Sequence, residues 1–166
     1  MNKESTSAEI NNITKELISL LKKGNAHAPF NEAIKDIPFK DLSKKPNGLP
    51  YSIWQLTEHI RITQSDILEF STNKNYKELN WPKDYWPEEA APENETAWKE
   101  CIDAIQSDLK SFIELLKDES VDLFTPFEHG TGQNLLREAL LIADHTSYHT
   151  GEIIVVRRLL GNWKPD

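Results

Sequence analysis

The sequence predicts an all-α protein, a four-helix bundle with long crossover connections, occupying residues 1–166 as a single domain. Three observations lead there. Four segments space their apolar residues three and four apart, the period of a helix with one buried face. Proline and glycine fall almost entirely between those segments. A chain of 166 residues is long enough for one sizeable core and too short for two.

The first helix is expected from about Ser7 to Lys23. Thr6 and Glu9 have capping-box spacing, Ile10, Ile13, Leu17, Leu20 and Leu21 form a stripe, and Gly24 supplies a stop. From Asn25 to Tyr51 runs a connection rich in Pro and Gly, with room for a short helix between Asn31 and Ile37; its length suits a segment that covers one end of the bundle. The second helix is expected from the capping box Ser52-Ile-Trp-Gln55 to about Ser71, with His59 inside it. A second crossover, residues 73–93, carries Trp81-Pro82 and Tyr85-Trp86-Pro87. The third helix follows from Glu95 to Lys117, capped by Asn94, with Trp98, Ile102, Ile105, Leu109, Phe112, Ile113 and Leu116 as its stripe. After a link through Val121, Phe124, Phe127 and His129-Gly-Thr-Gly132, the fourth helix is expected from about Gln133 to Leu160, ended by Gly161.

Composition narrows the function. With 27 acidic and 19 basic residues the net charge is -8, and no cluster of cations longer than a pair occurs, so phosphate backbones would be repelled and nucleic acid is not an expected partner. No stretch approaches the roughly 18 uncharged apolar residues of a membrane span, and the polar start is unlike a signal peptide, so no membrane partner and a cytoplasmic location are expected. The single cysteine, Cys101, allows no internal disulfide and no thiolate cluster. Any metal must therefore rest on histidine and carboxylates.

His145 and His149 stand four apart in the fourth helix. Such residues lie within about 40° of each other on one face, one turn along the axis. Their column continues through Glu138, Leu141, Ile142, Glu152 and Val156, a mixed strip that suits a polar site set into a bundle interior. The column of His59 contains Gln55, Leu56, Thr63 and Phe70. Spacing alone supports only the His145 and His149 pair, and either that pair or His59 has an ordinary reading as hydrogen-bonded core histidines. If the two columns face each other, three imidazoles converge. Three neutral imidazoles can hold zinc, nickel or iron and leave a position open for water or substrate.

The run Gly48-Leu-Pro-Tyr-Ser-Ile-Trp-Gln-Leu-Thr-Glu-His59 and the run Leu135-Leu-Arg-Glu-Ala-Leu-Leu-Ile-Ala-Asp-His145-Thr-Ser-Tyr-His149-Thr-Gly-Glu152 resemble the two signature helices of the DinB/YfiT-like superfamily. The similarity extends to Asn25-Ala-His27-Ala-Pro-Phe30, to the Trp81–Pro87 crossover and to Phe127-Glu-His129-Gly-Thr-Gly132. It implies a bundle in up-down-down-up order, often a homodimer, with one divalent metal ion on His59, His145 and His149. Members of known activity include thiol-dependent S-transferases and a thiol-dependent maleylpyruvate isomerase; others carry the label of metal-dependent hydrolase. The resemblance thus implies a small-molecule substrate and a low-molecular-weight thiol as cosubstrate, with a non-catalytic metal-binding or dimeric scaffold protein as the alternative.

Around the histidines several residues have two readings each. Glu152, three past His149, is a candidate general base, extra ligand or partner to a ligand, or an ordinary surface glutamate. Asp144 projects about 100° from His145 and reads as a surface or interhelical carboxylate. Tyr148 reads as packing. His27 and His129 either line a pocket mouth or bond backbone as loop histidines. Trp81, Tyr85 and Trp86 either wall a cleft or form a satellite of the core. Cys101, beside Trp98 and Ile102, reads as a small apolar core residue.

Overall fold

The computed structural model describes residues 3–164, with side chains from Ala8 onward. It holds five α-helices and, among the described residues, no strand: α1 Lys3–Lys23, α2 Phe30–Ala33, α3 Ile53–Thr72, α4 Glu95–Lys117 and α5 Leu135–Leu159. Two single 3-10 turns, Phe39–Asp41 and Lys83–Tyr85, lie in the crossovers. The four long helices are those the periodicity predicts, and α2 starts one residue before the expected short helix and ends at Ala33, well short of Ile37.

Local signals explain the boundaries. At α3 the Ser52 hydroxyl accepts from the Gln55 amide while the Gln55 side chain accepts from the Ser52 amide, so two otherwise orphaned donors are satisfied reciprocally. Asn94 and Asn134 cap α4 and α5 through the amides of Ala97 and Arg137. Gly24 and Gly161 take the left-handed conformation just past α1 and α5, which side chains with a Cβ disfavour. The start of α1 departs from expectation. The helix extends back to Lys3, so Thr6 lies inside its span, with its side chain outside the described ones. Ile10 and Ile13 are each 38% exposed, because only the C-terminal part of α1, around Leu17, reaches the core.

The core forms two clusters. One joins Ile53, Leu56 and Ile60 of α3 with Cys101 and Ile105 of α4 and Ile153 and Val156 of α5. The other joins Ile67 of α3 with Phe112 and Leu116 of α4 and Leu135, Ala139 and Ile142 of α5. Chain direction follows from this pairing: α3 and α4 run together and α5 runs against them. Along α5 the pair His145 and His149 lies between the two clusters, and on α3 His59 lies between Leu56 and Ile60 of the first, with α3 packed on α5. Each fully buried side chain of this size contributes about 1.5–3 kcal/mol, so both helices that carry the histidines are anchored above and below them.

Arg157 ties the end of α5 to the first crossover. It is 5% exposed and donates to the carbonyls of Ala33 and Asn162 and to the Asn162 side chain, with its guanidinium 5.0 Å from the Trp163 ring centre. No helix among the described residues is long and apolar enough to cross a membrane.

Candidate metal centre

The predicted columns do face each other. His59 is 2% exposed and His149 6%, and one ring nitrogen from each of His59, His145 and His149 lies within 4.8 Å of the other two. The Nε2 atoms of His59 and His145 are 3.0 Å apart.

Hydrogen bonds on the far sides of the rings decide which nitrogens are available. His59 Nδ1 lies 2.7 Å from the Tyr85 carbonyl oxygen, which can only accept, so Nδ1 carries the proton and Nε2 presents its lone pair inward. His149 Nδ1 donates to Glu152 Oε2 at 2.7 Å, which fixes the same tautomer. The second Glu152 oxygen accepts from the Tyr51 hydroxyl at 2.7 Å. Burial and the bond to Glu152 push the Tyr51 hydroxyl up to about 12, so it keeps its proton and remains a donor. Trp86 stacks on His59 with ring centres 3.8 Å apart and planes 10° from parallel, holding the ring against rotation.

This donor set fits a divalent ion. Bonds of about 2.0–2.1 Å in a tetrahedral arrangement place imidazole nitrogens about 3.3 Å apart, between the 3.0 Å observed for one pair and the 4.8 Å limit for all three. Ligating histidines characteristically donate their other N–H to a carbonyl or carboxylate, and two of the three do so here. Glu152 has both oxygens engaged and stands as the partner of His149. Replacing it with glutamine is expected to weaken metal affinity by about 10–100-fold, measurable by competition with a chromogenic chelator; unchanged affinity would remove its orienting role.

Electrostatics favour neutral rings at His145 and His59. Burial, with the neighbouring His149 and His59, lowers the pKa of His145 from 6.5 to about 3. Burial also lowers that of His59. On acidification the unfolded chain therefore takes up these protons first. Their contribution to stability is whole above the ordinary histidine pKa and is lost as pH falls from about 6.5 toward 3. Urea unfolding of metal-free protein is expected to show a midpoint steady from pH 8 to 7 that declines between pH 6.5 and 5, with a shallower decline in His145→Gln.

The histidines open onto a cleft of about 530 Å³ lined also by Pro50, Tyr51, Trp81, Trp86, Asp144, Tyr148 and Glu152. Trp81 and Tyr148 are 71% and 64% exposed, at its mouth. Asp144 lies on its rim, exposed. Tyr85, in contrast, contributes its carbonyl to His59 and its hydroxyl to Asp66, and lines a neighbouring cavity. Neither loop histidine reaches the centre. His129 bonds the Phe70 carbonyl at 2.8 Å, and His27 bonds the Ala28 carbonyl and the Ser147 hydroxyl beside a different cavity, bordered by α1. Cys101 is 4% exposed and its thiol is pushed up by burial and by Glu58, so it is core and not a nucleophile. The sequence reading missed Tyr51 and the Tyr85 carbonyl. Tyr51 stands inside the run that resembles a signature helix, whereas a backbone acceptor leaves no mark in residue types.

Comparison with curated proteins and with solved structures gives no match. The profile described as DinB superfamily matches residues 25–153, which include all three histidines, Glu152 and both crossovers. With an all-α fold and a three-histidine group inside a match covering well over half its length, the chain belongs to the DinB superfamily.

Proposed function

We propose that the protein is a metal-dependent enzyme that joins a thiol or water nucleophile to an electrophilic small molecule, as a thiol S-transferase or a hydrolase. The observation that carries this reading is three inward imidazole nitrogens at the floor of an open cleft, with no fourth cysteine, histidine or carboxylate in the group among the described residues. Three protein ligands and an open position characterise catalytic sites, whereas structural sites are closed by a fourth. A bound zinc, nickel or iron ion would supply Lewis acidity that lowers the pKa of the nucleophile.

The chain's own groups prepare that site. Tyr85 and Glu152 hold the imidazoles of His59 and His149 in the ligating tautomer. Trp86 and the Pro50–Tyr51 segment line the cleft beside the histidines, and Trp81 and Tyr148 offer flat aromatic faces to a small substrate. A homodimer is supported by Leu140, Val155 and Leu159, which are 46–59% exposed along α5; light scattering of wild type and Val155→Asp tests it.

The decisive experiment compares chelator-treated protein with protein reloaded with zinc, nickel or iron, assayed against electrophiles with and without added thiols and against ester and amide substrates. Activity that appears only on reloading supports the reading. Elemental analysis showing one ion per chain with no turnover in any reloaded form would favour a non-catalytic metal-binding protein.

A further inference from the structure

Beside the metal cleft lies a second cavity of about 730 Å³, between α3, the start of α5, the aromatic crossover and the His129 loop. Trp81 borders both spaces, so one exposed indole separates them. The function proposed above makes no use of this second space, yet its wall holds an unusual group. Glu138, seven residues before His145 on α5, is a carboxylate with 1% exposure.

Its compensation is incomplete. One oxygen accepts from Arg137 at 2.7 Å, but the Arg137 side chain is 55% exposed and so shares its charge with solvent. Burial holds the Glu138 carboxyl above the usual carboxylate range in spite of that bond. Nearby, the Thr63 hydroxyl, one turn past His59, is buried without a hydrogen-bond partner. Buried polar groups are costly when unpaired, and the class of ligand that would satisfy both is a donor with positive charge.

The rest of the wall agrees. Asp66 and Glu78 add two further carboxylates against the single guanidinium of Arg137. Asp66 accepts from the hydroxyls of Tyr76 and Tyr85, which orients both phenol rings around the space. Trp81 packs on Tyr85 with ring centres 5.4 Å apart, and Tyr76 packs on Phe70 at 5.1 Å. Aromatic faces beside carboxylates attract organic ammonium ions through the ring quadrupole and charge together.

We propose that this chamber binds the protonated amine of a small molecule, with Glu138 as its ion-pair partner and Thr63 accepting one of its N–H donors. Resting on the enzymatic reading above, the chamber is the anchoring subsite that places the far end of an amine-bearing substrate or cosubstrate in the metal cleft. Amine binding in the chamber itself needs no metal.

The test titrates full-length protein, metal-free and zinc-loaded, with benzylamine, benzyl alcohol and benzoate at pH 7, following backbone amide resonances. Benzylamine is expected to bind at least about tenfold tighter than the other two, in both metal states, with the largest shifts at Gly130 and Thr131. Glu138→Gln is expected to bring the three probes within about twofold of one another. Because Glu138 is buried, Thr63→Val and the exposed Trp81→Ala serve as second variants, each expected to weaken benzylamine by about three- to tenfold. Equal binding of the three probes, preference for benzoate at Arg137, or shifts confined to Tyr51 and Glu152 would each overturn the proposal. Benzylamine selectivity in a protein with no metal-dependent activity would sustain the chamber and sink only the enzymatic reading.

Discussion

Replacing His59 with alanine is expected to reduce bound metal from one ion per chain to below about a tenth, and to abolish any metal-dependent turnover. His59 is the one member of the three-histidine group on α3, so its loss leaves two candidate donors on a single helix and an open-sided site. Loss of a partner to a ligand already costs about 10–100-fold in affinity, and loss of the ligand itself should cost more. A thermal shift assay adds a second measure. Ion binding to the folded state alone stabilises by about 4 kcal/mol at a thousandfold excess over Kd, so wild type should melt higher on addition of zinc while His59→Ala should not. The same variant should fold, because Leu56 and Ile60 on either side of position 59 remain fully buried. Retention of a full ion by folded His59→Ala would require a different ligand set.

The largest effect on stability is expected at Phe112. Its side chain is fully buried in the cluster where α3, α4 and α5 meet away from the histidines. Phe112→Ala should cost about 3–5 kcal/mol, from lost transfer energy and an imperfectly collapsed cavity. That is a large fraction of the roughly 5–15 kcal/mol that holds a domain folded. Denaturant unfolding should show a lower midpoint with the slope preserved. Metal stoichiometry under native conditions should stay at wild-type value, since the cluster around Ile53, Leu56, Ile60 and Ile153 still positions the site from its other end. The two variants thus separate folding from metal binding: one loses the ion and keeps the fold, the other weakens the fold and keeps the ion.

Both experiments bear on how far the family membership reaches. Membership and the histidine cluster are compatible with a bound metal. The bonds of Glu152 to His149 and Tyr51 make an orienting role concrete, whereas a role in proton transfer would require one of those bonds to yield during turnover.

The sequence by itself determined the helices, because helix formation and termination are read from local pattern. The stripe of α4, the Ser52 capping box, the Asn94 cap and the glycines after α1 and α5 all act over a few residues. It also determined that His145 and His149 share a face, since a four-residue spacing on a helix leaves no alternative. Where pattern failed, the cause was tertiary. Ile10 and Ile13 continue an apolar stripe yet stay 38% exposed, and Thr6 has the chemistry of a cap within a helix that begins earlier. Only the tertiary structure decided that α3 lies against α5 at the level where His59 meets the pair, because the crossovers between them carry no periodic signal. It alone supplied the Tyr85 carbonyl and the Glu152–Tyr51 bond that set the tautomers, and the burial of Glu138 beside a second cavity. Those features depend on contacts between residues far apart in the chain, and their energies are fixed by burial and distance, neither of which is a property of any short stretch of sequence.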